Sequence, residues 1–365
     1  MQVLKELFCD LDPRRQNSSH DFCEMLFIAI AATLCGAKGC TDFARFGEEK
    51  RRMLGEVLVL AHGIPSHDAF SGLFRKLDAK AFAAALARLL ERMASALGRN
   101  RQIAIDGKAM RGAFETGCRS SPRMLVTAWG REVRMSLAAL PADGGNEAKA
   151  AIELLGLLDL DGAIVTGDAL HCSKPFAGDV VAGGGDYCLA LKGNQAALHA
   201  DAEALVQRKA AAAPVAVSQG QGQAHGRQET RAARVVKVPP AMRKKHRFPG
   251  LSAIGEVRRA RFVDGRLEEH RCLYALSRPM APEDFADVVR QHWDIENGLH
   301  WGLDVIYRED ECRSRKDSGA ENLALIRRIS VNAFRADSKK DTMRGKMMRA
   351  GWNDSYLFHL MTQMR

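Results

Sequence analysis

Hydrophobic residues in the first hundred positions recur at the spacing of α-helices. The longest apolar run, residues 25–37, is about 13 residues long, which is too short to cross a bilayer and predicts a buried helix. Asp21 and Ser66 stand at the starts of two helical patterns, where an N-cap side chain is expected. Residues 1–97 are therefore predicted to form a helical N-terminal domain.

Beyond residue 101 the pattern changes to short apolar runs, which are typical of strands. Five strands are predicted, with one helix before the fourth and a shorter helical stretch before the fifth: residues 103–106, 124–129, 133–140, 163–168 and 187–192. Three consecutive strands favour an antiparallel meander, whereas helical crossovers favour parallel neighbours. This order predicts a mixed sheet with the first strand at its centre and the fourth strand beside it.

The remaining chain alternates between two kinds of pattern. Residues 196–278 begin with a helix and continue as polar strands and turns, punctuated by glycine and proline, whereas residues 279–335 return to helical spacing. The helical segment is predicted to complete an α/β core begun by residues 98–195, and the polar segment to form a β-rich insertion. Residues 336–365 are predicted to be a basic tail.

Positive charge is concentrated in the predicted insertion. The formal net charge of the chain is +10, and between Arg208 and Arg271 there are 15 Lys and Arg residues against 5 Asp and Glu. A solvated surface would account for a short charge run, but an excess this concentrated favours a polyanionic partner, most simply nucleic acid. The candidate phosphate contacts in this segment are Arg227, Arg231, Lys244 and Lys245.

The cysteines and the first residues bear on the cellular compartment. Nine cysteines are scattered along the chain without a Cys-x-x-Cys pair, which is typical of free thiols in a reducing cytosol. The adjacent His171 and Cys172 would supply half of a metal site, but no second pair stands at ligand spacing. Acidic residues throughout the first 25 positions argue against a signal peptide, so a cytoplasmic protein is expected.

Two aspartates stand where the chain would otherwise enter a core. Asp106 ends the first predicted strand and Asp168 ends the fourth, so the predicted strand order places the two carboxylates about 5 Å apart. Carboxylates at this distance repel each other, and a divalent cation such as Mg²⁺ relieves the repulsion. Each aspartate alone is also an ordinary strand-end or turn residue. Together they predict a metal site.

A third acidic ligand is expected from a helix that covers the sheet. Four candidate side chains recur at every fourth position and would share one helix face: His292, Glu296, His300 and Asp304. Glu296 is the favoured ligand, with Glu309 and Asp310 as rivals, and His292, Asn297 and His300 are candidates for supporting it. The same pattern also fits a solvated surface network or a separate metal site on the helix.

Nine motifs, in order along the chain, carry a family resemblance. They are Leu11-Asp-Pro-Arg-Arg, Leu34-Cys-Gly-Ala, Gly63-Ile-Pro-Ser-His-Asp-Ala-Phe, Ile105-Asp-Gly-Lys, Thr166-Gly-Asp-Ala-Leu-His-Cys, Tyr187-Cys-Leu-Ala-Leu-Lys-Gly-Asn-Gln, His225-Gly-Arg-Gln-Glu-Thr-Arg, His292-Trp-Asp-Ile-Glu-Asn-Gly-Leu-His-Trp and Glu321-Asn-Leu-Ala-Leu-Ile-Arg-Arg. Through them the chain resembles bacterial insertion-sequence transposases of the ISAs1 type, including the H-repeat-associated proteins, within the IS4-like group of DDE transposases.

The resemblance implies an RNase H-like core and a transposase that depends on metal ions. It implies that Asp106, Asp168 and Glu296 hold two Mg²⁺ (or Mn²⁺) ions for cleavage and strand transfer of DNA. Pairing two DNA ends further implies a homo-oligomer, at least a dimer. Related transposases carry a Tyr-x2-Arg-x3-Glu-x6-Lys signature; the flanking positions here are Val289, His292 and Leu303, so no Tyr or Lys role is transferred to them.

Cations near the two aspartates are candidates for further contacts with DNA phosphates. Lys108 and Arg111 follow Asp106, and Lys192 follows the fifth predicted strand. Each of the three also fits a simple solvated side chain. In the N-terminal domain, the helix predicted after Ser66 is a candidate for recognising DNA ends.

Other functions remain open from the residues alone. A metal-dependent nuclease on the same core would cut DNA without joining it. A non-catalytic DNA-binding protein derived from a transposase would need no metal. A helical metal enzyme built on His292, Glu296 and His300 would leave the two aspartates unexplained.

Overall fold

The computed structural model describes residues 1–14, 18–96, 98, 101–114, 122–212, 222–224, 227–263 and 266–364. The helices are α1 (Gln2–Phe8), α2 (Phe22–Leu34), α3 (Cys40–Glu49), α4 (Arg51–Leu54), α5 (His67–Lys76), α6 (Ala79–Ser95), α7 (Glu147–Leu155), α8 (Lys174–Ala182), α9 (Ala196–Ala212), α10 (Pro240–His246), α11 (Pro282–His292), α12 (Trp301–Val305), α13 (Gly319–Ala336), α14 (Met343–Trp352) and α15 (Asp354–Thr362). The strands are β1 (Gln102–Phe114), β2 (Pro122–Gly130), β3 (Met135–Pro141), β4 (Ile164–Gly167), β5 (Asp186–Leu191), β6 (Gly222–Ala224), β7 (Arg227–Lys237), β8 (Ala253–Val263) and β9 (Arg266–Leu276). The predicted order of the first five strands and the helices between them is confirmed.

Side-chain caps account for where several helices begin. Oδ1 of Asp21 accepts a hydrogen bond from the amide of Glu24 at the start of α2, and Oγ of Ser66 accepts one from the amide of Ala69 at the start of α5. Such caps satisfy backbone donors that the helix itself leaves without partners. Helix α2 is apolar around its circumference, and its residues are accordingly almost all buried. None of the helices in the described part of the chain has the length and apolar character that crossing a bilayer requires.

The chain divides into two compact units. Residues 1–99, 107–158 and 295–365 make up the first unit, and residues 100–106 and 159–294 make up the second. The division falls between Asp106 and Gly107, so strand β1 contributes to both units.

The first unit combines the N-terminal helices with the antiparallel pair of β2 and β3. Its strand order is β3–β2–β1, and the long helix α13 is buried along nearly its whole length against α2, α5, α6 and β3. The prediction of a basic tail over residues 336–365 is wrong. This segment forms α14 and α15, because Met347, Leu357 and Leu360 supply apolar side chains that are buried within the unit.

The second unit contains a mixed sheet in the order β1–β4–β5–β9–β8–β7–β6. Strand β4 runs parallel to β1 and to β5, whereas β9 runs antiparallel to β5. The orders β3–β2–β1 and β1–β4–β5 are those of an RNase H-like core, as the resemblance implied. The β-rich insertion thus extends the core sheet, and the pairing of β9 covers the edge that β5 would otherwise expose.

Helix α11 packs on the sheet of the second unit where glycine permits a close approach. A Cβ at Gly255 in β8 would stand 2.3 Å from the ring of Phe285, which is fully buried. Around this contact lies an apolar cluster that includes Ile164, Cys188 and Leu276 from three different strands. The cluster fixes α11 over the sheet, and α11 is the helix that precedes Glu296 in the chain.

Candidate active site

Asp106 and Asp168 follow the last paired residues of two neighbouring parallel strands. The register of β1 and β4 ends with the pair Ile105 and Gly167, so each aspartate comes directly after it. Residues paired in this way stand about 5 Å apart. The predicted pairing of the first and fourth strands is therefore confirmed.

Asp106 does not end its strand, contrary to the sequence-based expectation. Strand β1 continues to Phe114, and the half that follows Asp106 belongs to the first unit, in which β1 neighbours β2. Strand residues alternate between the two faces of a sheet, so Asp106 shares a face with Ala104 and Lys108. The aspartate lies within a continuous strand, at the position where pairing with β4 ends.

Three nitrogen atoms lie close to one carboxylate oxygen of Asp168. Oδ1 accepts hydrogen bonds from the amides of Leu170 (2.8 Å) and His171 (3.3 Å), and Nδ1 of His171 lies 3.0 Å from the same oxygen. Burial by itself would raise the pKa of Asp168, but the His171 ring and the two amides outweigh it and lower that pKa below its ordinary value. Within the described residues Oδ2 has no hydrogen-bond partner. Asp168 is thus ionised at neutral pH and keeps one oxygen for another ligand.

The loop after β4 is held in place on both sides of Asp168. The His171 ring is fully buried, and Gly167 makes room for it, because a Cβ at Gly167 would stand 2.9 Å from Cβ of His171. Nδ2 of Asn194 donates to the carbonyls of Ala169 (2.6 Å) and Cys172 (3.1 Å). From the sequence alone, His171 is a candidate only as half of a metal site, and Asn194 has no predicted role. Both residues stand in motifs that carry the family resemblance, which was the signal available.

The C-terminal end of α11 is anchored on the same face of the sheet. Nδ1 of His292 lies 2.9 Å from Oγ1 of Thr166, which pairs with Ala104 and therefore shares the face of Asp106. Nε2 of Gln102 donates to the carbonyl of Val288 (2.8 Å). The pKa of His292 is lowered to about 4, mainly by burial; Asp168 opposes the shift and His171 adds to it. His292 is therefore neutral at physiological pH and acts here as a hydrogen-bonding partner of β4.

The low pKa of His292 predicts a pH dependence of stability. The folded protein favours the neutral ring, so its stabilising effect is complete above the ordinary histidine pKa of 6.5 and is lost as the pH falls towards about 4. We expect the free energy of unfolding, measured in urea, to fall more steeply over this interval in the wild type than in His292→Gln. Parallel curves for the two proteins would show that His292 titrates normally.

Glu296 lies in the first unit, at the start of a π-helical turn. Helix α11 ends at His292, and Glu296–His300 form i→i+5 hydrogen bonds before α12 begins at Trp301. The prediction that His292, Glu296, His300 and Asp304 share one face assumed an uninterrupted α-helix and is wrong in that respect. Glu296 and Asn297 are exposed, and His300 is half-buried.

The two rivals of Glu296 have partners of their own in the first unit. Glu309 is fully buried, and its Oε1 lies 3.4 Å from Nη1 of both Arg327 and Arg328. Asp310 lies 3.5 Å from Nζ of Lys108 and accepts a hydrogen bond from the amide of Arg111 (3.3 Å). Both acids therefore stabilise the unit, whereas Glu296 presents its carboxylate to solvent.

The cations predicted near the aspartates differ in accessibility. Lys108, a candidate phosphate contact in the sequence, is only 7% exposed, and its Nζ lies 2.6 Å from Oδ1 of Asp304, so it is not a solvated side chain. The side chain of Arg111 is 80% exposed, although its Nε lies 3.6 Å from Asp310. Lys192 is exposed directly after β5. Arg111 and Lys192 are thus accessible to DNA.

The basic insertion neutralises part of its charge internally. The buried Glu256 in β8 lies 2.5 Å from Arg271, 3.2 Å from Arg258 and 3.8 Å from Arg234. Other cations of the insertion differ in exposure: Arg231 is half-buried in β7, Lys244 and Lys245 are exposed on α10, and the side chain of Arg227 lies outside the described part of the structure. Nζ of Lys245 lies 2.6 Å from Asp201, whereas no ion pair of Lys244 is found among the described residues.

The carboxylates of Asp106 and Asp168 suit a hard cation whose remaining ligands come from water and the substrate. Among the described residues, no three His, Cys, Asp or Glu side chains are grouped closely enough to hold a metal ion by themselves. Asp106 and Asp168 provide oxygen ligands of the kind that Mg²⁺ prefers, and Mg²⁺ is commonly bound through one or two carboxylates together with water and phosphate. The pair fits such an ion without a preformed protein cage.

Two family descriptions match this chain. Residues 98–333 match the family described as "Transposase DDE domain", and residues 5–90 match the one described as "DDE_Tnp_1-associated". Related sequences include "H repeat-associated putative transposase YhhI" of Escherichia coli (strain K12), 30% identical over 93% of this chain and 91% of that protein. "Putative transposase YncI" of Escherichia coli O157:H7 is 31% identical over 95% of this chain and 90% of that protein.

Two further similarities concern an uncharacterised protein and a solved structure. "Uncharacterized protein in dhlA 3'region" of Xanthobacter autotrophicus is 36% identical over 72% of this chain and 90% of that protein. Among solved structures, a piggyBac transposase synaptic complex with hairpin DNA aligns with 100% of this chain and 79% of its own, at 14% identity and a TM-score of 0.47.

Proposed function

Since the chain belongs to the DDE transposase family and is a DNA transposase, we propose that it cuts DNA at the ends of an insertion sequence and joins them to target DNA. DDE transposases use divalent metal ions, and we propose Asp106, Asp168 and Glu296 as the ligands of two Mg²⁺ (or Mn²⁺) ions. When bound, the ions would supply an activated water and stabilise the leaving 3′ oxygen. The observation that carries the proposal is the register that sets Asp106 and Asp168 side by side after Ile105 and Gly167.

The residues around Asp168 prepare its carboxylate for this role. His171 and two backbone amides hold Oδ1 and keep the group ionised, so Oδ2 is the oxygen we assign to the metal. A positively charged histidine near Asp168 would compete with a metal cation. His292 is neutral and adds no such charge. No protein nucleophile is required, because water and then the DNA 3′-OH attack phosphorus.

Support for Glu296 comes from the contacts on either side of it in the chain. In the second unit, Nδ1 of His292 contacts Oγ1 of Thr166, and Thr166 lies on the same face of the sheet as Asp106. In the first unit, Asp304 forms an ion pair with Lys108 of β1. Glu296 stands between these two contacts in the sequence and is exposed, whereas its rivals are engaged in ion pairs.

The proposed substrate is double-stranded DNA, and pairing two ends would require at least two copies of the chain. We assign the helical N-terminal region, residues 1–97, to recognition of the transposon ends, and the basic insertion, residues 196–278, to contacts with the DNA backbone. Arg111 and Lys192 are proposed to contact phosphates near the acids.

The test uses purified protein and a plasmid that carries the DNA flanking this coding sequence on both sides. With MgCl₂ present, we expect cleavage at defined positions near the ends and, when a second plasmid is added, covalent joining of the labelled 3′ ends to it. Cleavage without joining would indicate a metal-dependent nuclease. Specific binding without cleavage in Mg²⁺ or Mn²⁺ would indicate a DNA-binding protein and refute the proposal.

The insertion should bind DNA through charge in a manner independent of sequence. We expect Lys244→Ala to weaken binding to all duplexes and to reduce the slope of log Kd against log salt concentration by about 0.9, since one phosphate contact is lost. Lys245→Ala is the matched control: Asp201 already compensates this lysine, so its loss should change the slope less. Equal slopes for wild type and Lys244→Ala would exclude Lys244 from the DNA interface.

A further inference from the structure

A buried lysine follows Asp106 at the second position along β1. Nζ of Lys108 lies 2.6 Å from Oδ1 of Asp304 and 3.5 Å from Oδ1 of Asp310. Only 7% of the lysine is exposed, whereas Asp304 and Asp310 are half-buried. An ammonium this deeply buried, with carboxylate oxygens at 2.6 and 3.5 Å, is paired inside the protein and not presented to a DNA phosphate.

Both acids belong to the segment that follows Glu296. Asp304 is in α12, eight residues after Glu296, and Asp310 is in the short 3₁₀ turn after it. The ion pair with Asp304 is therefore a direct link between β1 and the helical segment that begins with Glu296.

The chain after α12 is also fastened to β1. A Cβ at Gly112 would stand 2.5 Å from the carbonyl oxygen of Asp310 and 2.7 Å from that of Cys312, so the two backbones are in close contact. Nε of Arg315 donates to the carbonyl of Gly112 (3.2 Å), and its guanidinium lies 4.1 Å from the centre of the Phe114 ring. These contacts fix residues 310–315 but lie well beyond Glu296 in sequence.

The π-helical turn itself is fastened on its buried side. A Cβ at Gly298 would stand 3.1 Å from the Trp129 ring. The carbonyl of Gly298 accepts a hydrogen bond from Nη2 of Arg335 (3.1 Å). Gly298 thus sets how deeply the turn is seated. A different contact, the ion pair between Lys108 and Asp304, joins the segment to β1.

We infer that Lys108 and Asp304 are a positioning pair that sets the register of the Glu296 segment along β1. Lys108 then serves the third acid and makes no contact with the DNA backbone. This inference rests on the proposed role of Glu296 as a metal ligand. It assigns to the lysine of the Ile-Asp-Gly-Lys motif a function that a charge count along the sequence does not suggest.

The test compares Lys108→Met, Asp304→Asn and the double variant in the plasmid cleavage assay. We expect each single variant to cleave ~10–100-fold more slowly, as for other residues that orient metal ligands, and to need more Mg²⁺ for half-maximal rate. The double variant should be no slower than the worse single variant, because neither charge is then left alone. The Kd for end DNA and its salt dependence should stay within about twofold of the wild type, since neither residue is expected to contact phosphate.

Two further measurements separate positioning from general loss of structure. Amide hydrogen exchange should accelerate over residues 299–305 in the single variants while α13 stays protected. Lys108→Arg, which keeps the charge, should recover part of the rate. If the other variants do not fold, the cleavage rates of Lys108→Arg and Asp304→Glu test the inference in their place.

The outcomes that would overturn the inference are distinct from failure of the proposed function. If Lys108→Met loses DNA affinity and salt dependence while Asp304→Asn does not, Lys108 is a phosphate contact and the inference is wrong. Unchanged cleavage and Mg²⁺ response in both variants would equally refute it. If the wild type neither cleaves nor joins DNA, or if Glu296→Gln is fully active, the proposed function fails instead.

Discussion

Replacing Asp168 by asparagine is expected to lower the rate of DNA end cleavage about a thousandfold, or ~4 kcal/mol of transition-state stabilisation. The amide has the same shape, and its oxygen still accepts the bonds from Leu170 and His171, so the loop should persist. What is lost is the negative charge that Oδ2 would offer to a cation. The rate is measured by single-turnover cleavage of labelled end DNA, with binding followed separately by gel shift.

A matched control for this variant is Asp179→Asn. Asp179 is an exposed aspartate on α8 of the same unit, so its replacement should leave the rate within about twofold, as for most surface substitutions. Asp106→Asn should behave like Asp168→Asn, because the two aspartates hold equivalent register positions. Undiminished cleavage by either aspartate variant would remove the metal-binding pair from the account.

Replacing Glu309 by glutamine is expected to destabilise the first unit by ~3–5 kcal/mol, the usual cost of breaking a buried ion pair on one side. The Glu309 carboxylate lies 3.4 Å from the guanidinium groups of both Arg327 and Arg328, and all three side chains are almost completely buried. Burial lowers the pKa of Arg328, and Glu309 counteracts it while the neighbouring Arg327 adds to it. Without the carboxylate, two guanidinium groups would face each other at this position with no compensating charge.

Glu311→Gln provides the comparison within the same 3₁₀ turn. Glu311 is exposed and pairs with Arg308 at 2.6 Å, and a surface ion pair of this kind contributes about 0–1 kcal/mol. Urea unfolding followed by circular dichroism should show a clear loss for Glu309→Gln and almost none for Glu311→Gln. Equal stabilities would mean that the remaining hydrogen bonds of Arg327 and Arg328, to the carbonyls of Lys38 and Ala324 and the hydroxyl of Thr127, are sufficient to stabilise them.

Local signals were sufficient to predict much of this fold. Asp21 and Ser66 cap the helices they were expected to cap, because N-capping depends on one side chain and an amide three residues away. The order of the first five strands followed from apolar runs and the helices between them. With that order, the pairing of β1 with β4, and hence the relation of Asp106 to Asp168, follows from the sequence alone.

Features that depend on contacts distant in sequence were not predictable in the same way. The extension of β1 past Asp106 depends on its neighbour β2, and the addition of the insertion to the sheet depends on β9 pairing with β5. Lys108 reads as a solvated cation in the sequence, because its partner Asp304 is almost two hundred residues away. The adjacent cysteine makes His171 a candidate metal ligand in the sequence, whereas in the structure its ring contacts Asp168.

The wide turn at Glu296–His300 makes this part of the polypeptide sensitive to insertions and deletions. A π-helical turn holds one residue more than regular α-helical winding would, and each α-helical residue advances the winding by about 100°. Deleting one residue there would return the segment to regular winding and shorten the distance between Glu296 and Asp304 along the helix axis by about 1.5 Å, the rise of one residue. Apart from Glu296 and Gly298, natural variants should therefore tolerate changes of side chain in this turn more readily than changes of its length.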